Sequence, residues 1–293
     1  MRATVHLPQW CADIVSNPPR SGEGFHNWLF RAARALWRCG RSANDIREFL
    51  ESAAATCGRR VSKREISDAV RHSQISAFQP IGAQYQPWPA ANHEQREAVT
   101  ATGLGLVDLW EISPVRFADN ESHTEELIDR LFPGNPLLCC GQSKSDFATR
   151  SREEWRGKLS AMQLIVPSPM TARTGHTQDG KESEHTLGST GARRFLVVEQ
   201  DAGTIDEQAA VLLHLAGRAP LVIAVHSGSK SIHGWFYCVG QTEEKLRSFM
   251  RYAVSLGADR ATWTRSQFVR MPGGRRENGE RQTVYFFNPG VLK

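Results

Sequence analysis

The 293-residue chain is defined first by what it does not contain. No apolar run approaches the roughly 20 residues of a membrane span, so no membrane contact is expected. The opening residues MRATVHLPQWCADIV lack a basic cap followed by an apolar core, so no signal peptide is expected. There is no Cys-x-x-Cys and no Cys/His cluster at zinc-finger spacing, which argues against a zinc site. The six cysteines are scattered apart from the adjacent Cys139 and Cys140, a usage that fits reduced thiols in a cytoplasmic protein. The turn Gly228-Ser229-Lys230-Ser231 fails as a nucleotide-binding G-x-x-x-x-G-K-[ST] loop, because Ser229 stands where the second glycine belongs. A His-hydrophobe-His metal pair is also missing, since His226 and His233 are seven residues apart.

What is present is ordinary in bulk and uneven in distribution. The chain is 40% hydrophobic and 23% charged, the balance of a folded globular protein. Its net charge of +5 sits in one segment: residues 1–80 hold 12 Lys/Arg against 7 Asp/Glu, and the remainder balances at 24 each. A local basic excess points to an anionic partner such as nucleic acid. The basic residues concerned are Arg31, Arg34, Arg38, Arg59, Arg60, Lys63 and Arg64.

Hydrophobic periodicity divides the chain. Residues 25–76 read as three helices, with Trp28, Leu29, Ala32, Ala35 and Leu36 along one face of the first. Ser42 with Asp45 and Ser62 with Glu65 have capping-box spacing and start the other two. A basic helical bundle is therefore expected over 1–80. Residues 81–104, with Pro80, Pro87 and Pro89 beside or within them and no periodicity, read as a linker. Beyond it come helices near 104–112, 123–132 and 151–159, and short strands at 136–140 and 162–166. A long polar loop follows at 167–192, of the kind that is usually functional or mobile. The C-terminal third alternates: a strand at 194–200, a helix at 205–216 capped by Thr204 and Glu207, strands at 221–226 and 231–238, a helix at 243–256, and strands near 266–271 and 282–287. This order predicts an α+β fold with a largely antiparallel sheet.

Two strands carry candidate chemistry. In FLVVEQD, Glu199 and Asp201 share one face, where two like charges are costly unless a cation lies between them. In SIHGWFY, Ser231 and His233 share a face, and Lys230 precedes them; all three donate hydrogen bonds suited to phosphate oxygens. Asp259 follows the next helix, and Arg265 and Arg270 flank a short strand that ends in Met-Pro-Gly-Gly. Each of these pieces alone is commonplace.

Their order is not. Acid-x-acid, then Ser-x-His on a hairpin strand, then a single Asp followed by Arg resembles the archaeo-eukaryotic primase superfamily, the primase-polymerases, of plasmid or phage type. The resemblance implies an RRM-like antiparallel sheet over 193–293, beside a smaller α/β module over 105–192. It implies that Glu199, Asp201 and Asp259 are the catalytic ligands of two Mg²⁺ or Mn²⁺ ions. It assigns Lys230, Ser231, His233, Arg265 and Arg270 to the incoming nucleotide. Residues 25–76 are similar to the helical domain of such primases, with their basic residues toward single-stranded DNA. The implied activity is DNA-dependent synthesis and extension of primers from NTP or dNTP, with a replicative helicase or initiator as the class of protein partner. Two other classes stay open: a non-catalytic nucleic-acid-binding replication protein on the same fold, and a replication-initiator nuclease or relaxase.

Overall fold

The structure is a computed structural model, and it describes residues 9–20, 22–38, 41–58, 60–77, 87–118 and 123–292. It is mixed α+β and divides into two compact units, Met1–Gln86 and Pro87–Lys293.

The first unit is all-helical: α1 (Gln9–Val15), α2 (Phe25–Arg38), α3 (Ala43–Thr56) and α4 (Lys63–Ala77). The apolar stripe of α2 is buried as its spacing requires, with Leu29 and Ala32 fully enclosed among Ile46, Leu50, Ile66 and Ala69. Ser42 and Asp45 form the expected reciprocal cap at the start of α3. Ser62 caps the Glu65 amide, while the Glu65 carboxylate lies 3.0 Å from His26. Helix α1 was not evident from the sequence.

The second unit begins with α5 (His93–Thr100), capped by Asn92, and α6 (Leu106–Glu111). From residue 87 onward the stretch expected as a linker therefore belongs to this unit. Val99 of α5 and Leu109 of α6 are buried in its core. Three prolines masked a helix of eight residues, because the pattern is too short to outweigh them.

Two four-stranded antiparallel sheets follow. The first contains β1 (Leu137–Gly141), β2 (Phe147–Ser151), β3 (Leu164–Ile165) and β9 (Val269–Arg270), in the order β2-β1-β3-β9. The second contains β6 (Phe195–Gln200), β7 (Leu221–His226), β8 (Ile232–Tyr237) and β10 (Val284–Phe287), in the order β10-β7-β8-β6. With α9 (Ile205–Ala216) and α10 (Glu243–Ser255), the second sheet runs β-α-β-β-α-β, and β6 and β7 flank β8. The last strand lies beside β7; an RRM-like sheet would carry it beside β6. The free edge of β6 is met instead by the segment that follows α10, through the Asp259 amide.

The second sheet is sandwiched, which explains its continuous apolar runs. One face packs on α5, α6, α9 and α10 through Leu196, Val198, Ile232 and Phe236. The other, carrying Phe195, Val197 and Trp235, packs on the first sheet, which contributes Val269, and on α7 (Thr124–Leu131). Thus the strand expected at 266–271 joins the first sheet, and the boundary drawn at residue 192 does not separate two independent modules.

Two local expectations also change. The helix over 151–159 is a single turn, α8 (Arg152–Trp155), because Arg156 leaves helical geometry and Gly157, at φ +76, completes a tight turn in which the Lys158 amide donates to the Trp155 carbonyl. The polar loop 167–192 holds a small hairpin, β4 (Gly175–His176) with β5 (Glu182–Ser183), and buries Ser168, Thr186, Ser189 and Thr190. No helix among the described residues is long and apolar enough to cross a membrane. Cys139, Cys140 and Cys238 are buried free thiols, and burial pushes Cys139 up to about 11.

Candidate active site

The site forms where the apolar runs of β6 and β8 stop. Phe195, Val197 and Glu199 alternate onto one face of β6, so Glu199 is the first polar side chain beyond the core between the two sheets. Directly across the ladder, Glu199 pairs with His233, as Val197 does with Trp235. Glu199 Oε1 lies 3.4 Å from His233 Nε2 and 3.4 Å from Ser231 Oγ, and those two atoms are 3.4 Å from each other. Ser231 and His233 are buried, while the Glu199 side chain keeps 26% exposure. His233 Nδ1 is buried with no partner among the described residues.

Burial pushes the Glu199 carboxyl up, but the His233 hydrogen bond, the charges of His233 and Arg270, and Ser231 together hold it below the ordinary carboxylate value. Glu199 is therefore ionised at neutral pH, despite being mostly buried.

Asp201 lies one residue past the end of β6, with Oδ2 3.2 Å from Lys230 Nζ. Both side chains are well exposed, so this pair contributes at most about 1 kcal/mol and exchanges readily. Thr204 and Glu207 form the cap of α9, so Asp201 is not consumed by capping. Asp259 is brought to Glu199 by the backbone: its amide donates to the Glu199 carbonyl at 3.0 Å. Its Oδ1 accepts from the Ala261 amide at 2.9 Å, capping the 3-10 turn Arg260–Trp263. Among the described residues, no three His, Cys, Asp or Glu side chains are gathered tightly enough to form a ready metal-ligand set.

The two nominated arginines part company. Arg270 on β9 donates to Gln163 Oε1 at 3.1 Å and faces the Glu199 charge; burial and the neighbouring Arg276 lower its pKa. Arg265 donates to the carbonyls of Thr190 and Leu187, so its hydrogen bonds hold the polar loop rather than reaching Glu199 or Ser231. In the helical unit, Arg31, Arg34, Arg60, Lys63 and Arg64 are exposed; Arg59 and the Arg38 side chain lie outside the described residues.

Three residues hold the site in place without having been nominated. Gln208 of α9 is fully buried; its Nε2 donates to the Lys230 carbonyl at 2.8 Å and its Oε1 accepts from the Ile232 amide at 3.0 Å. It grips the hairpin on either side of Ser231. Arg96 of α5 donates to Gln200 Oε1, the Ala202 carbonyl and the Leu256 carbonyl, bracketing Asp201. Gly203 and Gly257, both at positive φ, admit that guanidinium: a Cβ on either would lie 3.1 or 2.8 Å from it. Arg276 donates to the Ser227 carbonyl at 3.4 Å, at the root of the Ser-Lys-Ser turn. A glutamine inside an apolar helix face was the only available signal for Gln208; nothing local marked Arg96.

The ladder also decides how the two histidines sit. His226 pairs with Ile232 and Val225 with His233, so the imidazoles fall on opposite faces of the sheet. They do not converge as a metal pair. No known family, curated protein or solved structure matches the chain.

Proposed function

We propose that the chain is a DNA-dependent nucleotidyltransferase of primase-polymerase type, making and extending primers on single-stranded DNA from NTP or dNTP. One observation carries this reading. Glu199, Ser231, His233 and the Asp259 backbone, spread over 60 residues of sequence, meet at the end of β6, with Asp201 and Lys230 paired beside them. The second sheet, in which β6, β8 and β7 keep the RRM order and β10 does not, then serves as the palm, and the exposed basic residues of the helical unit as a contact for template.

The reading implies a divalent cation, Mg²⁺ or Mn²⁺. The donors suit it, because Glu199, Asp201 and Asp259 offer hard carboxylate oxygens and Glu199 is held ionised. What a bound cation supplies is activation of an attacking hydroxyl and neutralisation of phosphate charge. The chain's own residues do the rest. Ser231, His233 and Lys230 donate to phosphate oxygens, and Arg270 offsets charge as it builds up on them. The weak Lys230–Asp201 pair makes the two roles reciprocal: a phosphate that draws Lys230 away releases the Asp201 carboxylate.

The test is incorporation of labelled ribo- or deoxyribonucleotides on a single-stranded template, with Mg²⁺ or Mn²⁺. Wild type is expected to extend, and Asp201→Ala to lose incorporation while unfolding at the same temperature. Full activity in that variant would remove the assignment. A second reading, a replication protein that binds nucleic acid without catalysis, draws on the exposed basic residues of the helical unit alone. It expects salt-dependent DNA binding and no incorporation with either metal.

A further inference from the structure

The motif Ser-Lys-Ser occurs at two β-hairpin turns. One is Ser229-Lys230-Ser231, between β7 and β8; the other is Ser143-Lys144-Ser145, between β1 and β2 in the first sheet. The second turn is tightly built. Ser143 Oγ accepts from the amides of Ser145 and Asp146, and the amides of Gln142 and Ser143 both donate to the Asp146 carbonyl. Gly141 allows the fold-back, since a Cβ there would lie 2.6 Å from that same carbonyl.

Beside this turn is a cleft of about 380 Å³ lined by Ser143, Lys144, Gln163, Arg270, Arg276 and Glu277. It brings together three basic side chains and one acid. The acid, Glu277, accepts from Gln163 Nε2 at 3.3 Å within the same cleft, which leaves the positive charges in excess there. Lys144, Arg270 and Arg276 make no ion pair among the described residues; the two arginines donate instead to a neutral glutamine and a backbone carbonyl. Like charges held close with fewer counter-charges than cations raise the energy of the site, and an anion placed among them lowers it. Arg276 ties the cleft to the other turn, because it bonds the Ser227 carbonyl and its Cδ would lie 3.1 Å from a Cβ on Gly228.

We propose that this cleft is a phosphate-binding site in which Lys144 and Arg276, together with Arg270, receive a phosphate chain. That chemistry is shared by the tail of a nucleoside triphosphate and by the phosphodiester backbone of a strand. The inference rests on the charge arrangement and does not require the nucleotidyltransferase reading.

The test is equilibrium binding by the full chain without divalent metal, with three probes: inorganic tripolyphosphate, a nucleoside triphosphate, and a fluorescent single-stranded oligothymidine. Lys144→Ala, at an exposed turn, keeps the fold, and Arg276→Lys retains the charge where Arg276→Ala removes it. Lys144→Ala and Arg276→Ala are each expected to weaken binding about tenfold or more, with partial rescue in Arg276→Lys. Weakening confined to tripolyphosphate and nucleotide assigns the cleft to a triphosphate tail; weakening confined to the oligonucleotide assigns it to a strand. Unchanged affinity of Lys144→Ala for all three probes overturns the proposal. Loss of incorporation in Asp201→Ala with this binding intact leaves the cleft standing, and inactivity of the wild type with this binding intact removes only the polymerase reading.

Discussion

Two clusters of arginine in the second unit have opposite electrostatic surroundings. Arg152 is fully buried, with Nη2 2.6 Å from Glu125 and Nε 2.8 Å from Asp129. Glu125 in turn accepts from the amides of Gly157 and Leu159, so the cluster is closed by the chain itself. Arg276 lies close enough to Arg270 to disfavour its charge, and no carboxylate pairs with either among the described residues. The first arrangement is a fastening between α7 and α8. The second has an incomplete charge balance, which is how a binding site differs from a structural ion pair.

This contrast can be broken by experiment. Arg152→Met should cost the most stability, about 3 kcal/mol in urea unfolding, because it removes a fully buried guanidinium that pairs with both Glu125 and Asp129. Arg96→Ala should come next, at about 2 kcal/mol, since it frees three acceptors around Asp201; incorporation should fall more steeply than stability, and Arg96→Lys should restore part of both. Arg276→Met should leave stability within about 1 kcal/mol of wild type, because removing one of two unpaired like charges relieves repulsion. A destabilisation by Arg276→Met as large as that by Arg152→Met would show that the two clusters are the same kind of structure.

The smallest effect concerns pH. The folded-state pKa of Glu199 lies below its ordinary value, so its ionisation adds stability above the ordinary carboxylate range, and that contribution is lost as pH falls through the depressed value. Wild type should therefore exceed Glu199→Gln by a constant margin at neutral pH, and the margin should shrink on the acid side only. A margin that stays constant down to low pH would contradict the depressed pKa.

Much of the local structure was legible in the chain. The caps at Ser42 and Thr204 were readable because they need only two residues three apart. Strands β6, β7 and β8 were readable because their apolar runs are long and bounded. The shared face of Ser231 and His233 followed from strand periodicity alone, as did their separation from Ile232 and Phe236. What could not be read was short or depended on a remote partner. Helix α5 was hidden by the surrounding prolines, β2 by its mixed composition, and the single turn of α8 by its resemblance to a longer helix. The destination of β9 depends on pairing Leu164 with Arg270, across more than a hundred residues.

The candidate site divides in the same way. The sequence by itself determined which side chains are candidates for the chemistry and which face of a strand each occupies, since both follow from residue identity and a period of two. Only the tertiary structure decided which of them meet. Glu199 reaches His233 through ladder register, Asp259 reaches Glu199 through one backbone hydrogen bond, and Arg265 is diverted to the polar loop. Tertiary structure also brought Lys144 and Arg276 to one cleft. Contacts of that kind form when distant segments bury apolar surface together, and no local pattern in the chain records which segments those will be.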